Sequence, residues 1–151
     1  MTGLCPKCGS ALHKPRSTED HRRFFGLIKA AFDHWPEAHE FHPDSPEHLR
    51  AWLLCKAEYR DVTMIDLEFA DADASLSKLA ILAIEAAIKA AGSYAFVRPN
   101  STGRAAAVFR PKSISFDALD QKKFAPLREA VEHVIEVETG LKAEDLLKEA
   151  A

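Results

Sequence analysis

Phe24, Phe25, Ile28, Ala31, Phe32 and Trp35 recur at intervals of three and four, which puts them on one face of a helix over residues 16–35. Ser17 or Thr18 is placed to cap its start and Pro36 stops it, with His21, Arg22, Arg23 and Lys29 at the edge or on the wet side. A polar link, PEAHEFHPD (36–44), follows. Ser45-Pro46 then opens a second helix, because serine caps a helix and proline at its first position gives up only an N–H that the helix leaves unbonded. Leu49, Trp52, Leu53, Lys56 and Tyr59 continue it at helical spacing, with a break near Arg60-Asp61, and VTMIDLEF (62–69) reads as a strand. The Ala- and Leu-rich run 73–91 predicts a helix ending at Gly92; apolar residues on three of its sides predict a central, largely buried position. SYAFVR (93–98) and RAAAVFR (104–110) flank PNSTG as a hairpin whose second strand extends as far as Phe116. The last long helix starts at an Asp120 cap, with Leu119 and Phe124 at hydrophobic-staple spacing. Phe124, Leu127, Val131, Val134 and Ile135 line its inner face and Gly140 ends it; residues 143–150 form a short charged helix or a fraying tail.

These elements predict an α+β fold, with three to four main helices packed on a small antiparallel sheet or hairpin. The division expected is a segment 1–15 with a Cys-x2-Cys knuckle, a single α+β domain over 16–140, and a short helix or tail over 141–151. With 151 residues there is material for a real core, and 47% apolar with 28% charged residues is a globular rather than a disordered composition. The net charge of -3 leaves no global basic field, so contact with nucleic acid has to rest on a local patch. No apolar run approaches the roughly 18 residues of a membrane span. The first 15 residues lack a signal-peptide core, and three cysteines make no disulfide framework; the expectation is a cytoplasmic protein with no membrane partner.

Three constellations carry candidate chemistry. Cys5-Pro-Lys-Cys8-Gly has the tight-turn shape that aims two thiolates at one point, and His13 supplies a third ligand for structural zinc. The fourth falls to His39, His42 or Cys55 through the fold, the other reading being a tail with two free thiols. The basic set comprises Arg16, Arg22, Arg23 and Lys29 on or just before the first helix, and Arg50, Lys56 and Arg60 on the second. Arg98, Arg104, Arg110 and Lys112 edge the hairpin, near Tyr94, Phe96 and Phe109. Cations tracking a backbone beside rings suit a single strand of nucleic acid, and between residues 98 and 123 the basic groups outnumber the acids Asp117 and Asp120. His34, His39 and His42, beside Glu37, Glu40 and Asp44, make either a polar surface loop or a metal loop.

Catalytic signatures are sparse. Six glycines fall in no phosphate-loop or dinucleotide pattern, and there is no nucleophile elbow. Asp66, Glu68, Asp71 and Asp73 could gather Mg²⁺ for a nuclease, although Asp71 and Asp73 sit where acids cap the following helix.

Three segments together resemble small proteins of tailed phages and prophages: RSTEDHRRFFGLIKAAFDHW (16–35), EHLRAWLLCKAEYRDV (47–62) and RPKSISFDALDQKKFAPLREAVEHVI (110–135). The Arg-Ser-x-Glu-x-x-Arg opening of the first, with the order of elements, resembles more distantly the NinB (lambda Orf) recombination accessory proteins. That resemblance implies a homodimer that binds single-stranded DNA and assists a recombinase. With the sparse catalytic signatures, the expectation is a non-enzymatic accessory protein of recombination or replication whose partner is single-stranded DNA or a nucleoprotein complex. Arg22, Arg23, Arg98, Arg104, Arg110 and Lys112 would form its anion surface. A different class remains open, a small phage inhibitor that binds a host recombination or defence protein. The aromatic face of 16–35 is either core, or core plus a dimer seam where it exceeds what one small core needs.

Overall fold

Helix ends set where the elements fall. The structure, a computed structural model, describes residues 18–67, 74–100, 104–115 and 119–150. In order these form α1 (Thr18–Asp33), α2 (Pro46–Lys56), β1 (Arg60–Asp66), α3 (Ala74–Ala90), β2 (Phe96–Pro99), β3 (Ala105–Pro111), α4 (Gln121–Thr139) and α5 (Ala143–Ala150). The fold is α+β, with five helices and a three-stranded antiparallel sheet among the described residues. The Cys-x2-Cys knuckle segment lies outside them. None of these helices is long and apolar enough to cross a membrane.

The predicted glycine stops hold. Gly92, at φ 83°, ends α3 with Gly92 N–H bonded to Lys89 O and Ser93 N–H to Ile88 O, the paired bonds of a Schellman turn. Gly140, at φ 72°, ends α4 with its N–H on Glu136 O, and Asp120 caps the start by accepting from Lys123 N–H at 3.0 Å. The second helix ends earlier than its apolar spacing predicts. Glu58 takes the left-handed position (φ 65°), Glu58 N–H bonds to Cys55 O and Tyr59 N–H to Leu54 O, which is the same Schellman turn built on a glutamate. Tyr59 therefore leaves the helix, and Arg60 becomes the first residue of β1 rather than part of α2.

The chain divides into two compact units, Met1–Pro46 with Ser113–Ala151, and Glu47–Lys112. In the first, α1, α4 and α5 pack on one another. Phe24 and Phe124, both fully buried, meet edge to face at 5.3 Å. Leu147 of α5 packs over Gly26 of α1, where a Cβ would stand 3.9 Å from Leu147 Cδ2, an ordinary contact. The link after α1 is fastened by Trp35 Nε1, which donates to Phe41 O at 2.8 Å.

In the second unit the strand order is β1-β3-β2, with Val62 opposite Phe109 and Phe96 also opposite Phe109. Ile65, Leu67, Ala95, Val97, Ala106 and Val108 form a core with Ala80, Ile81, Ile84 and Ile88 of α3. The expectation that α3 is largely buried is corrected here: it covers one face of a narrow sheet, so its opposite side stays in solvent, with Leu79 and Leu82 each 61% exposed. The hairpin's second strand ends at Pro111 and not near Phe116; Ser113 Oγ then accepts from Ser115 N–H and turns the chain.

Candidate functional site

Strand alternation separates the two faces of the sheet. Val97, Ala106 and Val108 turn to α3, so Phe96, Arg98, Ala107, Phe109, Arg60, Val62 and Met64 share the other face. On that face Trp52, Cys55 and Lys56 of α2 meet Arg60, Phe96, Arg98 and Phe109 around an open cleft of about 120 Å³. One water needs only ~10–15 Å³ of such space, so the cleft has room for a larger group.

Local structure fixes each wall. His48, in the first turns of α2, stacks on Tyr94 (ring centroids 4.8 Å apart) and on Phe96 (5.8 Å), which docks the helix on the start of β2. The Schellman turn at Glu58 then delivers Arg60 to the sheet. Its Nη1 donates to Cys55 O at 2.6 Å, and its guanidinium carbon stands 4.7 Å from the Phe109 ring centroid. Lys56 Nζ lies 5.1 Å from the Trp52 ring. The cleft thus collects three cations and three aromatic rings, with no carboxylate among its lining residues.

Cys55 contributes volume rather than reactivity. Burial pushes its thiol up to about 11, against a smaller opposing pull from the Arg60 charge. It is protonated near neutral pH, and a protonated thiol is neither a good nucleophile nor a metal ligand.

The residues singled out by sequence are distributed unevenly. Arg98 lines the cleft. Arg104 is exposed just before β3, and its carbonyl accepts from Leu67 N–H. Arg110 is exposed opposite Asp61 and, by alternation, shares the α3-facing side with Val108 rather than the side of Phe109. Lys112 is exposed beyond β3, its N–H bonded to Tyr59 O. Arg22 is exposed on α1, in the other unit. Arg23 is engaged there: its Nε donates to Glu132 at 3.0 Å, and the same carboxylate oxygen accepts from Arg128 at 3.0 Å. Trp52, Lys56 and Arg60 complete the cleft. Sequence reading put Lys56 and Arg60 in one basic set with Arg98 but left them, and Trp52, out of the anion surface it named.

The zinc candidates Cys5, Cys8 and His13 lie outside the described residues, as do Glu68, Asp71 and Asp73. Among the described residues no group of three or more His, Cys, Asp or Glu is placed to hold a metal. The histidine link has structural partners. His39 Nδ1 accepts from Phe41 N–H at 2.9 Å while Nε2 faces Glu138 at 2.5 Å, so a neutral ring protonated at Nε2 satisfies both. His34 Nε2 stands 2.8 Å from Glu149 on α5.

No protein-family model, curated protein or solved structure matches this chain.

Proposed function

We propose that this protein is a non-catalytic binder of single-stranded nucleic acid, and that the cleft between α2 and the open sheet face is where it holds the strand. The supporting observation is the composition of that cleft: Lys56, Arg60 and Arg98 beside Trp52, Phe96 and Phe109, with no lining carboxylate in a chain of net charge -3. Cations neutralise backbone phosphates, and rings supply faces and edges against which any base packs. Ring contacts also favour unpaired bases over a duplex, whose bases are already stacked. That the strand is DNA, and that the protein serves phage recombination or replication as an accessory factor, rests on the resemblance of residues 16–35, 47–62 and 110–135.

The test is a fluorescence-anisotropy titration of a labelled single-stranded oligonucleotide, repeated from 50 to 200 mM salt. Three phosphates neutralised give a log–log slope of about −2, or about 20-fold weaker binding across that range, with a matched duplex bound more weakly throughout. A flat salt response, or equal affinity for the duplex, removes the proposal. Binding to neither nucleic acid favours the inhibitor class instead.

A further inference from the structure

The two edges of the sheet are finished differently. On β2 the residues whose backbone groups point away from β3 are Val97 and Pro99, because Asn100 N–H bonds to Ala105 O and the pattern alternates from there. Val97 N–H is taken by Glu85 of α3 at 3.1 Å, and proline has no N–H to offer. That edge is closed to another strand. On β1, Leu67 N–H bonds to Arg104 O and Lys112 N–H to Tyr59 O, so residues 59, 61, 63, 65 and 67 face β3. The backbone groups of Arg60, Val62, Met64 and Asp66 therefore face outward. Those of Val62 and Met64 meet no partner among the described residues. The side chains of Val62 and Met64 are 52% and 62% exposed, and the seven-residue strand carries neither proline nor lysine to discourage pairing.

We infer that this edge is where two copies of the chain associate, β1 pairing antiparallel with its own copy about Thr63. The strand is self-complementary in one register. An antiparallel partner hydrogen-bonds only through outward-facing residues, so even positions must meet even positions. Centring on Thr63 sets Val62 against the partner's Met64, Met64 against the partner's Val62, and Arg60 and Asp66 at opposite ends across from each other. All four outward-facing residues are then used, both exposed apolar side chains gain an apolar neighbour, and opposite rather than like charges align. A shift by two residues places Val62 or Met64 against its own copy and leaves an outward-facing residue at the strand end without a partner. The two-fold axis runs perpendicular to the sheet, so the three strands of each copy join into one sheet of six. Both clefts then open on the same side, with the two β2 strands about 24 Å apart at ordinary strand spacing.

The pairing does not rest on what the clefts bind, and its test reads mass and cross-linking alone. Sedimentation equilibrium of the full chain is expected to give twice the 16.7 kDa of one chain at micromolar concentration. Introducing Val62→Lys with Met64→Lys, which sets like charges across the seam at two exposed sites, lowers the mass to one chain with unchanged circular dichroism. Thr63→Cys, whose two copies face each other at a Cα separation of about 4.5 Å, forms an intermolecular disulfide under mild oxidation. Val62→Cys, diagonal to its own copy by ~7–8 Å, does not. Peptide mapping against the wild-type chain separates this bond from any made by Cys5, Cys8 or Cys55. A single-chain mass up to 100-fold higher concentration, a dimer that survives both lysines, or cross-linking at 62 in place of 63 overturns the inference.

Discussion

Replacing Arg98 with alanine isolates one phosphate contact from the fold that carries it. The side chain is exposed on β2, and among the described residues it makes no core or ion-pair contact that the sheet depends on. A surface change of this kind alters stability by no more than about 0.5 kcal/mol. Binding responds more. With Lys56, Arg60 and Arg98 each neutralising one phosphate, the wild-type log–log salt slope is about −2.1; removing one cation brings it to about −1.4. The lost charge-assisted contact is worth ~1 kcal/mol once solvent screening is allowed for, about fivefold in Kd at 0.1 M salt. Anisotropy titration of labelled oligothymidylate with Arg98→Ala and wild type, at five salt concentrations, reads slope and intercept together. Arg110→Ala, on the other face of the sheet, is the control and leaves the slope unchanged. If Arg98→Ala keeps the wild-type slope, or if Arg110→Ala lowers it equally, the strand does not lie in the cleft and the reasoning fails.

Other consequences concern the scaffold. Phe124→Ala removes a fully buried ring that meets Phe24 edge to face, and urea unfolding is expected to show a loss of about 3–5 kcal/mol. Asp120→Ala deletes the acceptor for Lys123 N–H and costs ~1 kcal/mol in the same assay, whereas Asp120→Asn costs little. Glu58→Gly relieves a left-handed backbone that glycine adopts freely and raises the midpoint by the equivalent of ~0.5–1 kcal/mol; no gain would mean that Glu58 makes compensating contacts. Because burial holds the Cys55 thiol at about 11 against 9.0 for an ordinary one, the unfolded chain loses that proton first as pH rises. Folded stability contributed by the protonated thiol is whole below pH 9 and drains away between 9 and 11, and Cys55→Ala removes ~1–2 kcal/mol of that alkaline loss as read from urea midpoints at pH 8.5 and 10.5.

What was legible in the sequence was what is local. Asp120, Gly92, Gly140 and the Ser45-Pro46 start sit within one turn of the groups they satisfy, so residue type alone places them. Glu58 occupies the same backbone state as the two glycines, but its side chain gives no sign of it, and that one turn moved Arg60 from helix to strand. Phe96, Arg98 and Phe109 stood in the sequence within a wider hairpin set that also held Tyr94, Arg104, Arg110 and Lys112, and the strand register separates Arg110 from them. Trp52 and Lys56 joined them only through the docking of α2, which depends on His48 stacking across 46 residues to Tyr94. Arg23 reads as a surface cation until Glu132, 109 residues away, is seen to hold it. The burial of α3 was overestimated for a related reason: hydrophobicity around a helix says how much it can bury, while the area to bury it against is set by how many strands the sheet has.

The sheet face opposite α3 departs from ordinary folding logic twice. A strand with one face in the core normally alternates apolar with polar, yet β1 places Val62 and Met64 outward, forgoing burial worth up to about 1.5–3 kcal/mol for each. Like charges near one another normally attract interspersed acids, yet Lys56, Arg60 and Arg98 line one cleft without a carboxylate. Either departure alone is common on protein surfaces. Their occurrence on the same face divides it into an apolar edge suited to another copy and a basic, aromatic hollow suited to an anion. The two are separable: lysines at 62 and 64 should split the dimer while leaving each cleft able to bind, with the loss confined to the avidity that two linked clefts supply to a strand long enough to reach both. A short oligonucleotide that fills a single cleft should then bind the lysine variant no more weakly than wild type, since the added cations share the cleft's face, and only a longer one should bind it more weakly.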